Sequence, residues 1–155
     1  MTKDLIEKFQ INGSIYLWKY KENQRNYPGW NLTVDKVASE SIIKLLDLML
    51  KCEWSSKKHV TLSQPTNSQI SVPNNWKGTA TWMAATSLTL SLIKTDKINY
   101  WKIQEKLPSI EIAFGSSKLQ ELKIAIAGIP KGKGDFSIGN ENDEDILNFW
   151  WNLSK

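Results

Sequence analysis

The hexapeptide Ser87-Leu-Thr-Leu-Ser-Leu92 alternates hydroxyl and leucine side chains without a break. A period of two residues belongs to a strand, and it puts Leu88, Leu90 and Leu92 on one face and Ser87, Thr89 and Ser91 on the other. A strand of this kind needs a sheet with one face on a core and the other turned away from it. The alternation extends from about Thr81 to Ile93, the clearest run in the chain, and it requires a β-sheet component.

Elsewhere the period is 3.6. From about Thr33 to Cys52, Ala38, Ile42, Leu45, Leu46 and Met49 make one apolar stripe. Thr33 is the expected N-cap, and the pairs Glu40/Lys44 and Asp47/Lys51 lie four apart on the wetter side. A second helix is expected over residues 117–129, with Ser117 as cap and Gln120 at the capping-box position. Leu119, Leu122, Ala125, Ile126 and Ile129 line its core face, and Gly128 and Pro130 end it.

The remaining elements read as strands. SIYLWKY (14–20) places Tyr16, Trp18 and Tyr20 on one face; KHVTLS (58–63) and QISV (69–72) follow the first helix. A hairpin at Thr95-Asp-Lys97 leads to INYWKI, then SIEIAFG (109–115), and DFSIG and LNFWW close the chain. Two helices among strands in hairpin succession predict an α+β fold, one domain over 1–155 with a mainly antiparallel sheet of about 6–8 strands. A chain of 155 residues is long enough for one continuous core.

The terminal LNFWW sets three aromatics side by side. As a strand it directs Leu147, Phe149 and Trp151 to the face the helices cover, and Ile146 and Trp150 to the other. Trp150 is then expected near Tyr16, Trp18 and Tyr20, or near Trp101. If that face is open rather than roofed by loops, Trp18, Tyr20, Trp101 and Trp150 are the expected partner-binding residues.

Motifs for chemistry are missing. His59 is the only histidine and Cys52 the only cysteine; neither has a neighbouring motif that makes a nucleophile. Cys52 closes a helix, where the dipole disfavours a thiolate, and the pair cannot assemble a zinc site. The glycine-rich stretch 128–135 has the wrong spacing for a phosphate loop and follows a helix instead of preceding one. The acidic run 141–145 lacks the calcium-loop pattern. No catalytic residue, metal or cofactor is therefore expected. The N-terminus has no secretory signature and no run reaches the roughly 18 apolar residues of a spanning helix, so a cytoplasmic protein without a membrane partner is the expectation. Three Asn-x-Ser/Thr triplets, at Asn12, Asn31 and Asn152, carry no weight without secretion.

Charge is laid out unevenly. Between Trp54 and Gln104 six lysines (Lys57, Lys58, Lys77, Lys94, Lys97 and Lys102) face a single acid, Asp96. Trp54, Trp76, Trp82, Tyr100 and Trp101 are interleaved with them. Lysines with aromatics on a sheet are the composition of a single-strand nucleic-acid platform; the plainer reading is a solubilised sheet with aromatics in its core. The net charge of +4 is modest for a nucleic-acid arm. The expected function is accordingly a non-catalytic protein-interaction domain. Its Lys-, Asn- and Ile-rich composition, lack of motifs and abundance of aromatics suit an immunity-type inhibitor that occludes a toxin, although the basic balance argues against a nuclease as target. The alternative is nucleic-acid binding through the lysine/tryptophan-rich sheet. The oligomeric state is not encoded in any legible motif.

Overall fold

The computed structural model describes residues 2–20, 29–66, 82–133, 136–140 and 144–150. Its nine described strands form two sheets. One contains β1 (Ile15–Tyr20), β2 (Trp30–Val34), β4 (Trp82–Ala84), β8 (Phe136–Ile138) and β9 (Leu147–Phe149), in the order β4-β1-β2-β9-β8. The other contains β3 (Ser56–Thr61), β5 (Ser87–Leu92), β6 (Trp101–Lys106) and β7 (Ser109–Phe114), in the order β3-β5-β7-β6. Pairing is antiparallel except for β2 with β9 and β5 with β7. The helices are α1 (Thr2–Lys8), α2 (Lys36–Lys51) and α3 (Ser116–Gly128), the last running into a 3-10 turn over Ile129–Lys131. The fold is α+β, as the periodicities require.

The two long helices lie close to their expected spans, but their caps differ. Asp35, not Thr33, caps α2: its Oδ1 accepts from Ala38 N at 2.8 Å while Oδ2 accepts from Ser14 N at 3.0 Å. One carboxylate thus starts the helix and fixes the entry to β1. Thr33 belongs to β2, a strand hidden from the pattern because Asn31 and Thr33 are polar yet fully buried. α3 starts after Gly115, which offers no side-chain cap. Its place is set by close packing, since a Cβ there would collide with the carbonyls of Lys97 and Ile98. Ser117 N donates to Ile98 O at 2.9 Å, so the 93–100 loop takes the role expected of a capping hydroxyl.

That loop also overturns the expected hairpin. β5 does not pair with β6; β7 lies between them, parallel to β5 and antiparallel to β6. The chain crosses from β5 to the sheet edge, held by Ile93 N to Phe114 O and Gly115 N to Tyr100 O, both 2.9 Å. The QISV strand lies outside the described residues.

The long 81–93 strand is two strands with a corner between them. Ala85 N still donates to Leu17 O in the first sheet, at 3.1 Å, whereas Thr86 N donates to Pro108 O next to the second, at 2.9 Å. From one sheet to the other the apolar core is continuous: Leu17 and Leu32, Ile42 and Leu46 of α2, Leu90, Ile112, Leu122 of α3 and Phe149 belong to one cluster, with Ile6 of α1. α2 and α3 pack antiparallel, Ser39 Oγ donating to Ile126 O at 2.9 Å and Lys123 Nζ meeting Asp47 Oδ1 at 2.7 Å. At the rim, Lys19 of β1 pairs with Glu105 of β6 at 3.3 Å and links the sheets.

Candidate functional site

Period two divides the second sheet into an apolar and a polar face. Leu88, Leu90, Leu92, Ile110, Ile112 and Phe114 are buried in the core. The opposite face is built of three cross-strand rows that the register specifies. Lys57, Ser91, Ala113 and Lys102 make the first; His59, Thr89, Glu111 and Gln104 the second; Thr61, Ser87, Ser109 and Lys106 the third. All six residues of the outer strands β3 and β6 in these rows are exposed, and the central ones are small apart from Glu111. The face is a trough: two charged walls over a floor of hydroxyls.

Neighbouring strands are about 4.8 Å apart, so the walls stand roughly 14 Å from each other. The floor is fastened by side chains as well as by the ladder. Ser87 Oγ and Ser109 Oγ are 2.6 Å apart, and Thr89 Oγ1 lies 2.7 Å from His59 Nδ1. His59 is thereby engaged with a neighbouring strand, on the solvent side that its alternation with Val60 implied. Two hollows meet at Ser91. One of about 550 Å3 is bounded by Lys97, Tyr100, Lys102 and Glu111, the other of about 510 Å3 by Glu7, Lys57 and His59.

Glu111 was not singled out by motif or by charge run, yet it holds the middle of the floor. It is half-buried and makes no ion pair among the described residues. The signal that locates it is the alternation of SIEIAF, which sets Glu111 with Ser109 and Ala113 against Ile110, Ile112 and Phe114.

The six lysines of the expected patch separate into different roles. Lys57 and Lys102 stand on the two walls and Lys97 borders the larger hollow. Lys58 points instead toward α1 and its Nζ donates to Glu7 O at 2.8 Å; Lys94 Nζ donates to Leu50 O at 2.6 Å in the last turn of α2. These two satisfy carbonyls that helix ends leave unpaired. Lys77 lies outside the described residues.

The aromatics proposed for partner binding are buried. Trp18 and Tyr20 are 0% exposed and Trp150 9%, and the three form a second cluster with Tyr16 and Trp82 packed on it. Leu147 and Phe149 face the main core and Trp150 the other side, as the alternation of the last strand implies; Trp151 lies outside the described residues. Trp150 Nε1 donates to Asn31 Oδ1 at 2.9 Å, and Asn31 Nδ2 to the Trp18 carbonyl at 3.4 Å. Trp101 is not in this group: it is buried in the main core and donates through Nε1 to Asp145 O at 2.7 Å. None of these four rings is therefore a surface side chain. Trp54 is 72% exposed, in the turn from α2 to β3, next to Ser55 of the smaller hollow.

Cys52 is buried at the C-cap of α2, its backbone N–H bonded to Leu48 and Met49 carbonyls. Among the described residues no group of acids, His and Cys could hold a metal ion, and no helix is long and apolar enough to cross a membrane. No known family, no curated protein and no solved structure matches this chain, so the functional reading starts from its own residues.

Proposed function

We propose that this chain is a non-catalytic protein-binding module of the inhibitor type, docking its partner on the polar face of the β3-β5-β7-β6 sheet. The observation that carries the reading is an open sheet face walled by Lys57 and Lys102 around Glu111, which makes no ion pair among the described residues. Rows of short hydroxyl side chains let a partner approach the sheet closely, and lysines at the rim complement an acidic surface. Trp54 is the exposed aromatic suited to anchor such a contact. Occlusion of a toxin is the specific form of this reading.

The lysines also favour a second reading, single-stranded nucleic acid. That reading needs rings beside the cations for bases to stack on; of the rings interleaved with the lysines Trp101 is buried, while Trp54 is exposed and Tyr100 borders the larger hollow. A half-buried carboxylate amid the lysines also repels phosphate.

The test is a pull-down from source lysate with the wild type and a Lys57→Glu, Lys102→Glu variant, with and without nuclease. The expected result is one stoichiometric protein, insensitive to nuclease, lost with the variant. Nuclease-sensitive recovery, with salt-dependent quenching of tryptophan by oligonucleotide, would replace the protein reading with the second one.

A further inference from the structure

We infer that Glu111 selects the partner: the docked segment is a helix carrying a cationic side chain between two acidic ones. This rests on the docking face proposed above and specifies its occupant.

The argument begins with charge order. Along the strands, the rows present Lys57 and Lys102, then Glu111, then Lys106. Successive rows are two residues apart, roughly 6.8 Å at strand rise. The face therefore reads positive, negative, positive at that interval. Docking takes Glu111 further from water, and a carboxylate so buried is tolerated only when a cation or several donors meet it. Its neighbours supply little: Thr89 Oγ1 is 2.7 Å from His59 Nδ1, and the register places neutral Gln104 on the far side. Asp96 and Glu7 border the two hollows and add negative charge. Lys97 and Lys102 border the larger one with Glu111, and Lys57 the other, and none of these lysines forms an ion pair with Glu111. No described residue forms an ion pair with Glu111, so the cation that closes on it is assigned to the partner.

Width chooses the partner's secondary structure. A trough roughly 14 Å wide accepts an α-helix of about 10–12 Å diameter, whose flanks then reach both walls. A single extended strand is too thin to reach Lys57 and Lys102 together. On a helix, residues four apart are separated by about 6 Å along the axis, close to the interval between rows. The complement is thus Glu-x-x-x-Arg-x-x-x-Glu on one helical face. A phosphate chain offers no cation at the middle position.

The experiment uses the full chain and two alanine-based helical peptides with this spacing, one with central Arg and one with central Glu. Binding is followed by calorimetry and by amide shifts of β3, β5, β6 and β7. The Arg peptide should bind about tenfold tighter, as expected for one charge pair. Glu111→Gln should remove the preference and Glu111→Lys should reverse it. The glutamine variant is close to isosteric, so it keeps the test valid should the lysine variant fold poorly. Equal affinities in the wild type, or a preference that survives Glu111→Gln, with shifts on the same strands, would overturn the selection by Glu111 and leave the docking face standing. Shifts elsewhere, or none at millimolar peptide, would overturn the docking face itself. An oligothymidine that outcompetes both peptides on those amides would also overturn it.

Discussion

Trp150 and Asn31 are joined by a hydrogen bond of 2.9 Å, indole nitrogen to amide oxygen, where neither side chain is exposed by more than 9%. The pair ties the β9 end of the chain to β2. Trp150→Phe keeps a ring but removes the donor, and should cost about 1–3 kcal/mol, the range for a buried acceptor deprived of its partner. Trp150→Ala should cost about 3–5 kcal/mol. Urea unfolding would measure both; a loss below about 1 kcal/mol for the alanine variant would contradict the buried cluster.

Asp35 serves two segments at once, so its variants should separate the two roles. Asp35→Ala should destabilise by about 1–2 kcal/mol as a lost N-cap, with a further contribution from the freed Ser14 N–H. Asp35→Asn can keep only one of the two acceptors and should recover part of that loss. Full recovery in thermal unfolding would show that the bond to Ser14 is idle.

Trp54 is the sharpest test of where a partner sits. Its exposure means Trp54→Ala should change stability by no more than about 0.5 kcal/mol. Binding should weaken by about 2 kcal/mol or more if the ring anchors the contact. Surface plasmon resonance on the captured partner checks this, and unchanged affinity would move the interface away from the β3 end.

The double variant Cys52→Ala, His59→Ala should weaken partner binding by no more than about 1 kcal/mol, the scale of one hydrogen bond on the wall of the docking face. His59 contributes a hydrogen bond to Thr89, and Cys52 fills space at a helix end. A loss of activity by orders of magnitude with circular dichroism unchanged would point to chemistry at one of the two.

Legibility followed locality. The faces of β5 and β7, the two long helices and the sidedness of Leu147, Phe149 and Trp150 were readable, because each depends on the period of a few adjacent residues. β2 was not: Asn31 and Thr33 break the apolar run, and their burial is explained only by a sheet covered on both faces. Nor was the insertion of β7 between β5 and β6, which depends on contacts between residues far apart in sequence. Lys58 and Lys94 look like surface charge in the sequence and become helix-end donors only when α1 and α2 are brought beside them. Glu111 was within reach of the alternation, but its lack of an ion pair among the described residues emerges only from the three-dimensional neighbourhood.

The strict alternation of β5 and β7 has an evolutionary consequence. Every second residue there answers to the interior, and the residues between form a floor bonded across strands. The exposed residues of the flanking β3 and β6 answer mainly to what lies outside. Residues 57, 59, 61, 102, 104 and 106 line the exposed edges of the trough. They can be exchanged one at a time without altering the volume of the leucine and isoleucine layer beneath. A lineage could retarget such a surface from one partner to another through a handful of codon changes, while its folding stability stayed almost constant.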